Sequence, residues 1–149
     1  DPYTDFFNDS FGDLQEELET AKDEDKKGVM LFFEMDDCPF CTRMKKTVLN
    51  QPDVQQYFRD NFRLITIDIE GDIELTDFAG KNTTQKDFAF QQHRVRATPV
   101  IAFFDLDGKK VAKYTGAPGT EKEFMLLGKY VAEGHYKAMP FTKYKRQQK

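Results

Sequence analysis

The sequence predicts an α/β fold, a central mixed β-sheet flanked by helices on both faces, with a small insertion ahead of its last pair of strands. Three observations predict it. Residues 29–35 form an apolar run broken only by Glu34, the pattern of a strand buried on both faces at the centre of a sheet. Apolar runs and helically spaced segments then succeed one another in the order helix, strand, helix, strand, helix, strand, strand, helix, which calls for a mixed sheet between helical layers. Finally, 149 residues with 39% apolar and 32% charged side chains suit one domain with a real hydrophobic core.

The first element is a helix. Ser10 is placed to cap it with Asp13 in the first turn, and Leu14, Leu18 and Ala21 make its apolar stripe; the charged run 22–27 and Gly28 end it. After the central strand, residues 42–50 are helical, with Met44 and Val48 on one face, until Pro52 interrupts. Val54, Tyr57 and Phe58 mark a further short helix, and residues 64–69 a second strand. Residues 71–85 alternate polar side chains with Ile73, Leu75 and Phe78 and offer a turn at Gly80, so they read as a hairpin or an irregular insertion. Residues 86–94 read as a helix packing Phe88 or Ala89, and residues 99–104 as the third strand. Asp107-Gly108 is a hairpin turn whose two central residues tolerate positive φ, and residues 111–114 pair back. Gly116 and Gly119 break the chain before a closing helix over 121–133 that carries Phe124, Leu127, Tyr130 and Val131. The basic tail, 137–149, reads as solvated chain laying a few rings on the core. The expectation is a single domain over 1–149, with its core at about 10–136.

Composition narrows the function. Fifteen Phe and six Tyr occur without a Trp, and the pairs Phe32-Phe33 and Phe103-Phe104 read as buried strand. A net charge of −4 excludes a nucleic-acid partner on overall charge, since phosphates require clustered Lys and Arg. No apolar stretch approaches the ~20 residues that span a bilayer. The chain opens Asp1-Pro2-Tyr3-Thr4, without Met or a basic, apolar leader, so a signal peptide removed or a trimmed chain is expected.

There are two cysteines, three positions apart, in Cys38-Pro39-Phe40-Cys41. A structural staple would join distant segments, whereas this pair follows a buried strand and opens a helix. An ordinary thiol has a pKa of about 8.5 and is mostly protonated at neutral pH. The free N–H groups and dipole of a helix N-terminus favour the thiolate there. Cys38 occupies that place, and Pro39 suits the first turn because its missing N–H would go unused. Cys38 is therefore the candidate nucleophile, and Cys41, one turn on, the candidate resolving thiol. Zinc would need two more ligands, and His93 and His135 stand in no ligand spacing. No bound cofactor or metal is called for.

Residues 29–41, Val-Met-Leu-Phe-Phe-Glu-Met-Asp-Asp-Cys-Pro-Phe-Cys, resemble the active-site segment of the thioredoxin superfamily. More narrowly they are similar to the SoxW-type thioredoxin-related proteins of bacterial periplasms. Thr98-Pro99, followed by Val100-Ile101-Ala102-Phe103-Phe104 and Asp107-Gly108, matches a second hallmark. The resemblance implies a thioredoxin fold and a thiol–disulfide oxidoreductase acting on protein disulfides. It also implies a cis Pro99 facing the cysteines, with Thr98, Pro99, Pro39 and Phe40 contacting substrate. The direction expected is reduction, in a periplasmic setting, by a monomer that a redox partner recycles. A disulfide-forming oxidant, a non-catalytic binding or chaperone module, and a cytoplasmic protein are the alternatives.

Two departures stand out. Phe32 occupies the place of the family's buried Asp, and Asp37 the place of its Trp. Another proton carrier is then needed, and Glu34, the one ionisable side chain within the strand, is the candidate acceptor from Cys41. The alternative is that Glu34 merely sits at the strand's solvent end. Asp36 and Asp37 either bring negative charge towards Cys38, opposing its thiolate and partly offsetting the dipole, or are solvated and shape the partner surface. His93 and Arg94 either border the active-site face or end a helix.

Overall fold

The computed structural model describes residues 6–148; the opening Asp1 to Thr4 lie outside the described residues. Strand β1 (Gly28–Glu34) is buried from Gly28 to Phe33. Each of its faces meets a different set of side chains, because alternate residues point to opposite sides of a strand. It pairs in parallel with β2 (Phe62–Asp68), Leu31 opposite Ile65, and antiparallel with β5 (Val100–Phe104), Leu31 opposite Ala102. Strand β6 (Lys110–Thr115) continues antiparallel from β5 with a bulge at Phe103/Phe104, so the order is β2-β1-β5-β6. The mixed sheet and the buried Phe pairs are as the sequence predicts.

Met30 and Phe32 point to one face, where α2 (Pro39–Thr47), α3 (Pro52–Asn61) and α5 (Glu121–Ala132) close the core. There the Phe58 and Phe124 rings stack at 4.1 Å with 3° between planes. A Cβ on Gly128 would come within 2.6 Å of the Phe58 ring, so only glycine lets α3 and α5 approach this closely. Val29, Leu31 and Phe33 point to the other face, closed by α1 (Leu14–Asp23) and the segment between β2 and β5. That segment holds a hairpin, β3 (Glu74–Thr76) with β4 (Asn82–Thr84).

Several expectations are corrected. The cap of α1 is Asp13, whose carboxylate accepts from the N–H groups of Gln15 and Glu16. Ser10 instead donates to Glu17 at 2.8 Å. Gly28 does not follow the helix as a breaker; it opens β1, where a Cβ would lie 2.0 Å from the Phe104 carbonyl oxygen. The helix foreseen to run to residue 50 ends at Thr47, while its start at Pro39, capped by Cys38, is where the cysteine motif places it. The helix foreseen at 86–94 is one α-turn, α4 (Gln85–Asp87), running into a π-turn, Phe88–Gln92. The wider π-turn buries both Phe88 and Ala89 against the sheet. In the β5–β6 connection only Gly108 has positive φ, at 80°. Its N–H donates to Asp105 and the Asp105 carboxylate accepts from Asp107 and Lys109, so the connection is longer than the two-residue turn expected. The basic tail forms α6 (Phe141–Gln147), with Tyr144 buried and Lys145 paired to Glu123 at 3.0 Å.

Candidate active site

Cys38 is the N-cap residue of α2, in extended conformation, and Pro39 is its first helical residue. Its Sγ accepts from the Cys41 N–H at 3.1 Å, and its carbonyl accepts from the Thr42 N–H. The two cysteines are joined as a disulfide with Cα atoms 5.2 Å apart, and both are buried in the face closed by α2, α3 and α5. Pro39 is exposed, and Phe40 is 57% exposed between the cysteines, with the Arg43 guanidinium 5.6 Å from its ring. Asp36 and Asp37 are exposed.

The Thr98–Pro99 bond is cis. Val100 stands opposite Phe33, which brings Pro99 to the end of β1 that leads into the cysteines. Pro99 is buried, and its carbonyl accepts from the Gly116 N–H at 2.9 Å. The Thr98 hydroxyl oxygen is buried without a hydrogen-bond partner among the described residues.

Glu34 ends β1 with its carboxylate paired to Lys45 at 2.5 Å, both side chains part-buried. With Cys41, Asp36 and Asp68 they line a cavity of about 310 Å³. Glu34 therefore faces the inner cysteine, and the side-chain ammonium of Lys45 shares its cavity. Sequence reasoning missed Lys45, although its position four residues after Cys41 places both on one face of α2. Asp68, opposite Glu34 in the parallel β1–β2 pair, was missed as well; no local signal announces a pairing across 34 residues.

The two histidines lie elsewhere. His93 ends the π-turn and packs against Phe33, Phe88 and Phe104 on the opposite face of the sheet. Burial, with Lys110 and Lys113 adding like charge, pushes its pKa down to about 4. His135 stacks on Tyr144 and pairs with Glu133. Among the described residues no three His, Cys, Asp or Glu side chains gather where a metal could sit.

Residues 14–132 match the family model of the thioredoxin-like domain. The chain belongs to that family. A thioredoxin-like domain whose cysteine pair caps and opens the helix after the central strand is a thiol:disulfide oxidoreductase, because the helix N-terminus supplies the thiolate and the next turn its resolving partner. Solved structures agree on the fold. A thioredoxin-fold protein from Helicobacter pylori superposes with a TM-score of 0.73 at 20% identity, covering 99% of this chain and 96% of its own. The oxidised DsbD C-terminal domain of Neisseria meningitidis gives 0.55 at 23% identity over 75% and 87%. A DsbH oxidoreductase gives 0.61 at 22% over 85% of each chain. No curated protein matches the sequence. Among the described residues, no helix is long and apolar enough to cross a membrane.

Proposed function

We propose that this thioredoxin-like protein reduces disulfides in client proteins, as a SoxW-like member of its family working in the periplasm. The carrying observation is the setting of Cys38. Its sulfur is held by one backbone N–H at a helix N-terminus, while the exposed acids Asp36 and Asp37 precede it and Arg43 lies over the Phe40 ring. Strong oxidants of this kind owe their potential to a heavily stabilised thiolate. The two acids oppose a thiolate at Cys38, which favours the disulfide and makes the reduced pair an electron donor.

In the reaction the Cys38 thiolate attacks a client disulfide, forming a mixed disulfide and releasing one client thiolate. Cys41 then gives its proton to the Glu34 carboxylate and attacks Cys38. The second client thiolate leaves, and two electrons have passed to the client while Cys38–Cys41 is oxidised. Thr98 and Pro99, with Pro39 and Phe40, flank the client strand. A dithiol redox partner restores the pair. The whole chain acts as one monomeric domain, and the resemblance of residues 29–41 to the SoxW-type proteins supports the extracytoplasmic setting.

The test is the reduction potential of the cysteine pair, titrated in dithiothreitol or glutathione buffers and read by alkylation mass shift. A value of about −250 mV or lower is expected. A value near −120 mV, roughly that of DsbA, would overturn the reductase reading in favour of an oxidant.

A further inference from the structure

Phe90 is 53% exposed in the middle of the π-turn. The Arg96 guanidinium lies 5.5 Å from its ring centroid. With Ile69, Lys86, Asp87 and Val95 they line a cavity of about 560 Å³. Ile69 follows β2 directly, and its N–H donates to the Glu34 carbonyl at 2.9 Å. Arg96 stands two residues before Thr98 and the cis Pro99. The cavity thus opens at the end of the sheet where the disulfide lies, on the side of Phe88 and Val95 and not on the face that buries Cys41.

We propose that this cavity is a recognition subsite for the client, taking an apolar side chain against Phe90, Ile69 and Val95 and pairing an adjacent client Asp or Glu with Arg96 and Lys86. The inference rests on the disulfide-exchange reading. Arg96 has no carboxylate partner among the described residues, and the ring beneath holds its planar guanidinium in place for a two-pronged bond to a carboxylate. Among the described residues the Lys86 ammonium pairs with Asp72 alone, at 3.9 Å with both side chains largely exposed. So loose a surface pair holds little energy, and a client carboxylate can replace it. The two cations outweigh Asp87 in a lining that is otherwise apolar. Arg96 stands two residues from Thr98, so an extended client pairing there, advancing about 3.3 Å per residue, passes the cavity within a few positions of its reacting cysteine.

The test uses the full chain, reduced beforehand, and two peptides each carrying a cysteine as its 2-pyridyl disulfide. One places Phe-Glu, the other Phe-Lys, two positions from the cysteine. Attack by Cys38 on the peptide sulfur breaks the pyridyl disulfide and expels 2-thiopyridone, whose absorbance gives the second-order rate constant of a single turnover. Wild type is expected to favour the Glu peptide about fivefold at low salt, the advantage shrinking as salt screens the pair. Arg96→Glu is expected to invert the preference; each protein's ratio is read internally, so its absolute rate does not matter. Equal rates for the two peptides, or a preference that survives Arg96→Glu, would overturn the subsite and leave the exchange reading standing. Failure to release thiopyridone from either peptide would overturn the exchange reading, and the subsite with it.

Discussion

The two faces of the sheet are built from similar side chains yet closed by different means. The face carrying the disulfide is covered by three helices of nine to twelve residues, locked by the Phe58–Phe124 stack and the contact at Gly128. The other face has one helix, α1; the rest of its cover is a three-residue hairpin pair, one α-turn and a π-turn. Regular helices give the buried cysteines a rigid floor. The irregular cover sets Phe90 and Arg96 out towards the client side, where a straight helix would carry its apolar face inward. On the proposed reading, the regular cover serves the chemistry and the irregular cover the recognition of the client.

The sharpest way to break this contrast is to empty each core in turn. Phe58→Ala and Phe88→Ala each delete a fully buried ring, a change that costs about 3–5 kcal/mol. The expected order, read from urea unfolding, is Phe58 near the upper end and Phe88 near the lower. Three braced helices cannot collapse into the void, whereas a short irregular cover can settle. Equal costs would show that the two closures are mechanically alike.

A smaller effect is expected at the cavity between Glu34 and Cys41. Glu34→Gln removes the proposed proton acceptor and leaves Lys45 without its partner. Resolution of a trapped mixed disulfide, followed by rapid quench, is expected to slow about tenfold at pH 7, below the usual range for losing a general base because water also reaches the cavity. The deficit is expected to close as pH rises and hydroxide removes the proton instead. An unchanged rate would reduce Glu34 to a structural partner of Lys45.

The smallest effect concerns His93, on the irregular face. Its folded pKa, held down to about 4 by burial, Lys110 and Lys113, lies below the unfolded value of about 6.5. The unfolded chain therefore binds the proton more readily, and this group's contribution to stability declines as pH falls from about 6.5 to about 4, then levels off. His93→Gln is expected to flatten that part of the pH dependence of the urea midpoint. An unaltered slope would mean that His93 is not the group responsible.

Much of the fold was legible because its strands are apolar runs too short for helices: residues 29–35, 64–69 and 99–104 each correspond to an observed strand within two residues. The cysteine pair was legible for a similar reason, since strand end, Pro and helix start are all local signals. The π-turn was not. A helical stripe and a π-bulge use the same residue types, and only the fit of Phe88 and Ala89 under Phe33 selects the wider turn. The cap of α1 was misplaced by three residues because Ser10 and Asp13 are both good caps; contact of Ser10 with Glu17 decides between them.

By itself, then, the sequence determined the layers, the central strand and the placing of Cys38 at a helix N-terminus, all of which follow from periodicity and backbone propensity within a dozen residues. Only the tertiary structure decided which charged groups share a space: Lys45 and Asp68 with Glu34 beside Cys41, and Arg96 with Lys86 and Phe90 at the same end of the sheet. These groups meet through strand register and loop packing, which depend on contacts distant in sequence and leave no trace in local spacing.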